Sequence, residues 1–239
     1  MKISSGKHFH NVLCLSKAKG INITMTNTTL FFIMEILGTI AFSCSGAMVA
    51  IRKKLDFLGV IVLGVITAVG GGMFRDILIG NNPPELFKNP VYVCVAVVAA
   101  IFMFFIVQSK NLAKTFIQTK HYDVIMNLLD AIGLGAFTVV GVNATLASSY
   151  SHYIFLTIFL GVITGVGGGL LRDIMVCEIP SILKEHIYAC ASLIGALLYV
   201  FSMHLKIPNI GIIVSASIVI IIRVLSRHYD WNLPHGRIS

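Results

Sequence analysis

One stretch of this 239-residue chain occurs twice, as GVITAVGGGMFRDI at residues 64–77 and as GVITGVGGGLLRDI at residues 161–174. The copies lie 97 positions apart, and each is followed by a proline, Pro83 or Pro180, where a helix is expected to stop. A triple glycine followed by an Arg-Asp pair inside an apolar segment is a poor way to build an ordinary buried helix. Its second copy therefore indicates an internal duplication.

The match continues on both sides of this stretch. Upstream, EILGTIAF at residues 35–42 corresponds to DAIGLGAF at residues 130–137, and downstream VYVC at residues 91–94 corresponds to IYAC at residues 187–190. The duplicated unit is about 75 residues long, which at roughly 20 residues per span is three membrane spans. A solenoid repeat, of about 20 to 50 residues, is shorter than this unit.

The composition indicates a polytopic membrane protein. Hydrophobic residues make up 56% of the chain and charged residues 12%, whereas about a quarter of an average soluble chain is charged, and the mean hydropathy is +0.89. Apolar runs of about 17 to 23 residues, bounded by charges, prolines or polar clusters, predict seven membrane helices. These spans are expected at residues 30–50, 57–79, 91–108, 125–147, 153–177, 187–204 and 208–226.

The predicted fold is all-α, with two three-helix repeats and one further helix. Because each repeat crosses the membrane an odd number of times, its second copy enters from the opposite side and the repeats are inverted. The second and fifth spans, which hold the glycines, then run antiparallel through the centre. We expect an N-terminal tail over residues 1–27, a first repeat over 28–120, a second repeat over 121–206, and a seventh helix with a cytoplasmic tail over 207–239.

Lysine and arginine are distributed unevenly between the two sides of this plan, and basic loop residues normally stay in the cytoplasm. Ten of them fall in the first, third and fifth loops and at the C-terminal end, which predicts a cytoplasmic C-terminus and an outside N-terminus. Four lysines in the N-terminal tail oppose this orientation. The tail lacks the apolar stretch of a signal peptide, and Met25 stands directly before the first span, so we interpret residues 1–24 as disordered or as an extension.

The remaining composition excludes several function classes. The net charge is +8, but the basic residues are spread among short loops, so nucleic-acid binding is not expected. The five cysteines form no Cys-x-x-Cys pair and are interpreted as apolar packing residues, and the eight histidines form no His-Glu-x-x-His motif. With no nucleophile or acid-base constellation in the sequence, we expect neither an enzyme nor a cofactor or resident metal.

The triplets Gly70-Gly71-Gly72 and Gly167-Gly168-Gly169 predict a break in each central helix. Each glycine costs a helix about 0.8 to 1 kcal/mol relative to alanine, so a kink or local unwinding is expected. Backbone groups freed in a bilayer need protein or a water-filled path, and open carbonyls can replace the hydration shell of a cation. The hydroxyls of Thr67 and Thr164, one turn earlier, can bond a freed carbonyl or line the path. The alternative is close helix packing, which small residues also permit.

Six ionisable side chains within the first, second, fourth and fifth predicted spans are candidate site residues: Glu35, Arg75, Asp76, Asp130, Arg172 and Asp173. A charge at such a position costs about 2.5 to 3.5 kcal/mol on insertion scales and usually faces the protein interior or a water-filled path. Glu35 and Arg75 are expected at one depth and Asp130 and Arg172 at another, which predicts one ion pair in each repeat. The other two aspartates are left to cap backbone groups or face aqueous vestibules. These pairs either hold the helices in register or act directly in permeation.

These motifs resemble the prokaryotic branch of the trimeric intracellular cation (TRIC) channel family, whose bacterial domain is also described as a glycine-transporter type. The resemblance covers residues 28–234 and includes both Thr-x-x-Gly-Gly-Gly-x-x-Arg-Asp segments. It extends to the Arg-Lys-Lys-Leu-Asp turn that ends at Asp56, to Gly-Val-Asn143, and to Tyr188 and Arg223. The Lys-Glu-Val signature of the animal members is absent, so their lipid or calcium regulation is not carried over.

The resemblance implies a seven-helix protomer in a symmetric homotrimer, embedded in the lipid of the cell inner membrane. Each subunit would have its own pore between the glycine-kinked second and fifth spans, and the permeant ligand would be a monovalent cation, chiefly potassium. The glycine triplets and the two Arg-Asp pairs carry over to this pore. Ala144 stands where close bacterial relatives tend to have a lysine, so a basic gating residue is not carried over there.

The leading hypothesis is therefore a passive cation channel. The alternative is a secondary carrier for glycine or another small neutral amino acid, because inverted repeats with broken helices suit both. An arginine beside a half-helix N-terminus can hold a substrate carboxylate, which favours the carrier. The expected position of the charges near opposite ends favours the channel. A third possibility, a helical scaffold without transport, predicts that replacing the glycine triplets with alanines leaves the phenotype intact.

Overall fold

The described part of the protein is built from α-helices. The computed structural model describes residues 25–108, 120–184, 187–229 and 231, and α-helix is the regular secondary structure found in these segments. The helices are α1 (Met25–Arg52), α2 (Phe57–Leu78), α3 (Glu85–Lys88), α4 (Val91–Gln108), α5 (Lys120–Leu146), α6 (Ile154–Met175), α7 (Ser181–Lys184), α8 (Tyr188–His204) and α9 (Pro208–His228). The predicted all-α fold is confirmed.

Seven of these helices correspond to the seven predicted spans, with ends that differ by five residues or fewer. Six are long and apolar enough to cross a membrane, whereas α8 is apolar but shorter, with 17 residues. A helix of that length rises about 25 Å and lies at the lower limit for a membrane span. The protein is therefore a multi-pass membrane protein.

The short helices α3 and α7 were not predicted. Each follows a glycine-containing helix, and each is preceded by a proline, Pro84 for α3 and Pro180 for α7. The long helix has already ended before the proline, at Leu78 or Met175, and the proline stands directly before the first residue of the short helix. Four-residue helices have too few residues for hydrophobic periodicity to reveal them.

The long helices pack as two equivalent groups. In the first repeat α4 packs against α1 and α2, and in the second α8 packs against α5 and α6. The repeats contact each other mainly through α2 with α6 and through α1 with α5, while α9 packs against α5 and α8. The structure therefore has the predicted plan of two inverted three-helix repeats plus one helix, with the glycine helices at the centre.

An aromatic pair joins the repeats beside this centre. Phe42 of α1 and Phe137 of α5 occupy equivalent positions, and their ring centroids lie 5.4 Å apart. Gly133 and Gly38 leave the space for these rings, since a Cβ on either glycine would press against the opposite phenylalanine. Each repeat thus packs its phenylalanine against a glycine of the other repeat.

Neither glycine triplet interrupts its helix. The helix is continuous through both glycine triplets, so local unwinding is not present there, while a bend of the helix axis stays a prediction. The repeat boundaries 28–120 and 121–206 also stay predictions. The predicted disorder of residues 1–24 lies outside the described residues.

Candidate functional site

The glycine triplets lie where α2 and α6 cross. A Cβ added to Gly71 would stand less than 3.0 Å from the carbonyl oxygen of Thr164, and one added to Gly168 would stand less than 3.0 Å from the carbonyl oxygen of Thr67. Gly167 also lies directly against the Cα atom of Gly71. The close-packing alternative therefore describes the first two glycines of each triplet, and each helix covers a main-chain oxygen of the other.

The third glycine of each triplet has different surroundings. The nearest atom to a Cβ on Gly72 would be the Arg75 guanidinium nitrogen at 3.9 Å, which leaves room for a methyl group. A Cβ on Gly169 would lie 3.0 Å from the hydroxyl of Tyr188 and 3.9 Å from the Arg172 guanidinium. The two repeats are thus equivalent at the crossing and unequal one residue beyond it.

The two threonines bond the preceding helical turn. The Thr67 hydroxyl donates to the carbonyl of Leu63 and the Thr164 hydroxyl to that of Leu160, each at 2.6 Å. Both side chains are buried. These bonds follow the i to i−4 pattern of threonine within a helix, so in this structure the hydroxyls are already occupied.

Beyond the crossing, the ionisable side chains form two clusters at equivalent positions of the two repeats. The first cluster consists of Glu35, Arg75, Asp76 and Tyr92. The second cluster consists of Asp130, Arg172, Asp173 and Tyr188, to which Ser45 of α1 is added. Sequence reasoning identified the six charged members, and the structure groups them by repeat.

In the second cluster Arg172 is enclosed by three partners. Its guanidinium donates to Asp130 at 2.6 Å, to Asp173 at 2.9 Å and to the Ser45 hydroxyl. Ser45 in turn donates to Asp130 at 2.6 Å. The predicted pair of Asp130 and Arg172 is therefore present, and Ser45 links it to the first repeat. Arg172 is only 2% exposed, and a buried guanidinium of this kind needs such pairing.

In the first cluster the predicted pair of Glu35 and Arg75 is wrong. Arg75 bonds the adjacent Asp76 instead, at 2.8 and 2.9 Å, and Glu35 accepts a hydrogen bond from the Tyr92 hydroxyl. Arg75 is still among the charges that act on Glu35. Equal depth in the membrane brought the two residues near each other, but a tyrosine from the first turn of α4 binds the longer glutamate side chain.

Both aspartates that follow the arginines also cap the next short helix. Asp76 accepts from the backbone N–H of Glu85 at 2.8 Å. Asp173 accepts from the backbone N–H of Ser181 at 2.7 Å and from its hydroxyl at 2.9 Å. The backbone-capping role predicted for this pair is therefore present, and each aspartate couples a glycine helix to the loop behind it.

A cleft of about 140 Å³ opens beside the second cluster. Its lining includes four arginines, contributed by the ends of α1, α6 and α9: Arg52, Arg172, Arg223 and Arg227. Arg223 lies over the ring of Tyr188 at 4.4 Å, and Lys53 pairs with Glu178 at 2.7 Å at the same end. Among the described residues no group of three or more His, Cys, Asp or Glu side chains is arranged to hold a metal ion.

Three members of these clusters were missed as site residues: Ser45, Tyr92 and, apart from the family resemblance, Tyr188. The tyrosines had a usable signal, because both occur in the repeated segment downstream of the triplets. Ser45 had none, since the duplication places Val140 at its equivalent position.

The fold and these clusters define a class of membrane protein built from inverted three-helix repeats whose central helices cross at glycines. A family model described as "Glycine transporter" matches the chain twice, over residues 32–108 and 127–204. The chain is 35% identical over 212 residues to the UPF0126 inner membrane protein YadS of Escherichia coli, covering 86% of this chain and 95% of YadS. It is 34% identical over 203 residues to YvgT of Bacillus subtilis, covering 85% and 95%.

Solved structures show the same likeness. The TRIC channel orthologue from Rhodobacter sphaeroides superposes with a TM-score of 0.76 at 29% identity, covering 85% of this chain and 100% of that one. A prokaryotic TRIC channel gives a TM-score of 0.75 at 32% identity, covering 86% and 100%. The chain belongs to the family that this glycine-transporter model describes and that includes the prokaryotic TRIC channels.

Proposed function

We propose that this protein is a passive channel for monovalent cations, with potassium as the main permeant ion. Each subunit of a homotrimer has its own path between α2 and α6. The observation that supports this proposal is the mutual packing of the two glycine triplets at an inverted crossing, flanked by buried Arg-Asp pairs. The fold in which this crossing occurs is shared with TRIC cation channels over 85% of the chain.

The crossing is the closed point of the proposed path. Contacts between a glycine Cα–H and a carbonyl contribute only about 0.5 to 1 kcal/mol each, so these contacts add little to the cost of separating α2 and α6. Separation uncovers the carbonyl oxygens of Thr67 and Thr164, which can then replace water around a dehydrated cation. The first two positions of each triplet have no side chain of their own, but Leu171 lies over Gly70 and the ring of Phe42 lies beside Gly168, so these two side chains move when the helices separate.

The proposed orientation puts the second cluster at the cytoplasmic end. Arg52, Arg223 and Arg227 line the cleft at that end, and basic residues near membrane helix ends mark the cytoplasmic side. The C-terminus is then cytoplasmic and the N-terminus outside. The inner membrane is the proposed location, as in the name of the Escherichia coli relative.

Reconstitution into planar bilayers tests this function. We expect unitary currents in potassium chloride, with a reversal potential near the potassium equilibrium potential under a salt gradient, and light scattering of the detergent-solubilised protein should give the mass of a trimer. The family model's description favours the glycine carrier as the second candidate. Uptake of labelled glycine should therefore be measured in vesicles that contain the same purified protein. Saturable glycine uptake without unitary currents would show the carrier, and protein-free vesicles serve as the control.

A further inference from the structure

We propose that helices α4 and α8 select phospholipids with short acyl chains, because each spans a thinner hydrocarbon layer than α2, α6 and α9 do. The partner is the lipid bilayer itself, and the surface is the exposed apolar side of one helix in each repeat. This lipid preference goes beyond the proposed transport function and does not depend on which solute crosses the membrane.

The first observation is the length of the two helices. α8 has 17 residues and α4 has 18, so their rises are about 25 and 27 Å. The central helices α2 and α6 have 22 residues each and α9 has 21, which correspond to about 31 to 33 Å. A typical hydrocarbon core is about 30 Å thick. α4 and α8 are therefore too short for such a core, whereas the other three helices are not.

The second observation is that polar and basic residues bound both apolar runs. Lys88 precedes α4, and Gln108 ends it, with Lys110 two residues further along the sequence. α8 ends at His204, and Lys206 follows in a left-handed turn with φ 60°. A lysine can extend its ammonium group toward the headgroups, but its position marks where the apolar surface stops. Both helices thus have a short apolar length as well as a short backbone.

The third observation is that both helices expose an apolar side. Only 17% of the α4 span is buried within the protomer, the smallest share among the six described helices that are long and apolar enough to cross a membrane. Large apolar side chains that are at least 40% exposed lie on both helices: Val98, Phe102 and Phe105 on α4, and Leu193, Leu197 and Phe201 on α8. In a membrane these side chains face acyl chains, so the lipid beside them has to match the short helix.

Tilting does not relieve this mismatch. A helix longer than the hydrocarbon core fits by tilting, whereas a shorter one needs a thinner bilayer around it. α4 packs against α1 and α2, and α8 packs against α5, α6 and α9, so longer helices hold both of them in place. Lipids with short chains thin the bilayer at these two helices at the least cost. Because α4 and α8 are equivalent helices of the two repeats, the same requirement occurs twice in each subunit.

Vesicles of phosphatidylcholine with monounsaturated chains of fourteen, sixteen, eighteen, twenty or twenty-two carbons test this preference in the full-length protein. The headgroup is the same in all five lipids, so the bilayer thickness is what varies. The melting temperature should be highest with chains of fourteen or sixteen carbons and lower by about 2 to 8 °C with chains of twenty-two. Equal melting temperatures, or a maximum at eighteen carbons or more, would overturn the proposal.

Lys206→Leu lengthens the apolar run at the end of α8, so it should move the optimum toward longer chains. Lys54→Leu is the matched control. Lys54 is also exposed and left-handed, with φ 59°, so this change removes the same charge from the same backbone conformation. It follows α1, however, a helix of 28 residues, and should leave the optimum unchanged. If Lys54→Leu moves the optimum as far as Lys206→Leu, the loss of a loop charge and not the helix length is the cause.

The lipid retained around the protein gives a second readout that does not depend on unfolding. Wild-type protein in an equimolar mixture of the fourteen-carbon and twenty-two-carbon lipids is extracted in polymer-bounded discs, and the lipids in the discs are counted by mass spectrometry. The short-chain lipid should be enriched about twofold over protein-free discs from the same mixture. No enrichment, or enrichment of the long-chain lipid, would contradict the preference. Absence of ionic current would remove the proposed channel and leave the lipid preference standing.

Discussion

The first and second clusters contain the same kinds of residue at equivalent positions, yet they hold their arginines differently. Arg75 is 8% exposed and, among the described residues, bonds Asp76, its neighbour in sequence, and no other side chain, while Arg172 is 2% exposed and bonds two aspartates and a serine. Two local changes accompany the difference. The carboxylate on α1 is a glutamate where α5 has an aspartate, and Val140 stands where α1 has Ser45.

This difference shows what the duplication determines. It sets the helices, the glycine crossing and the depth of each charge, and these features are the same in both halves. It does not set which partner each charge binds, because one methylene or one hydroxyl is enough to redirect a hydrogen bond. The symmetric parts of the molecule therefore provide the frame, and the asymmetric contacts distinguish its two ends.

The largest expected difference between the clusters concerns the arginines themselves. Arg172→Met leaves Asp130 and Asp173 buried without their counter-ion, so we expect a loss of about 3 to 5 kcal/mol in the free energy of unfolding. Arg75→Met removes the ion pair with Asp76, which keeps its bond to the N–H of Glu85, and Glu35 keeps its bond from Tyr92, so a loss of about 1 to 3 kcal/mol is expected.

The free energy of unfolding of both variants can be measured in detergent micelles, with circular dichroism as the probe of helix content. The exposed pair of Lys53 and Glu178 supplies the control, since Lys53→Met removes an ion pair worth at most about 1 kcal/mol. Equal losses for the two arginine variants would contradict the distinction between the clusters.

Most of the fold could be predicted because the hydropathy pattern and the duplication identify the same membrane spans. Charges and prolines bound the apolar runs, so the predicted ends fall within five residues of the observed ones. The central position of α2 and α6 followed from the odd number of spans in each repeat. The packing of their glycines against the Thr67 and Thr164 carbonyls did not follow, because a sequence does not distinguish a glycine that opens a helix from one that lets two helices touch.

The candidate site was predictable in part. Asp130 and Arg172 were paired correctly because their depths matched, and Asp173 and Ser45 bind Arg172 beside Asp130 without replacing it. The same argument failed for Glu35 and Arg75, since depth along a helix says nothing about a third side chain, here Tyr92, that enters from another helix. Contacts of this kind depend on which helices lie side by side, and the spacing of residues along one sequence does not reveal that.

The glycines offer the next test, because the second glycine of each triplet lies at the symmetric crossing and the third lies beside the asymmetric clusters. Gly71→Ala and Gly168→Ala each place a methyl group against a carbonyl oxygen of the opposite helix, so each should lower stability by about 1 to 3 kcal/mol, and by similar amounts. Gly72→Ala meets no atom closer than 3.9 Å and should stabilise α2 by up to about 1 kcal/mol.

Gly169→Ala completes this series. Its methyl group would lie 3.0 Å from the Tyr188 hydroxyl, so it should be less stable than Gly72→Ala although the two positions are equivalent. Melting temperatures of the four alanine variants in one detergent check the ranking. A Gly168→Ala protein as stable as Gly72→Ala would show that the helices are not in contact at the crossing.

A smaller effect is expected at the cap of α7. The Ser181 hydroxyl donates to Asp173 at 2.9 Å, so Ser181→Ala should cost about 0.5 to 1.5 kcal/mol. The first repeat has Glu85 at the start of α3, and there Asp76 accepts from the backbone N–H of Glu85 but not from its side chain, which is a carboxylate. Glu85→Ala should therefore change stability less than Ser181→Ala, which the same melting experiment measures. The reverse order would contradict the side-chain role of Ser181.

The smallest expected effect compares the ends of α2 and α6. Both helices finish with the same hydrogen bonds, from Asn81 to the Asp76 carbonyl at 2.8 Å and from Glu178 to the Asp173 carbonyl at 2.9 Å. This turn needs a left-handed residue. The first repeat uses Gly80, with φ 71°, and the second uses Cys177, with φ 53°.

A left-handed conformation costs a non-glycine residue about 1 kcal/mol, partly offset by the greater entropy of glycine in the unfolded chain. Cys177→Gly should therefore stabilise the protein by about 0.5 kcal/mol, and Gly80→Cys should destabilise it by a similar amount. Cys177→Ala keeps the strain and removes only the thiol, so it separates the two causes. If Cys177→Ala stabilises the protein as much as Cys177→Gly, the thiol and not the backbone is the unfavourable element at the end of α6.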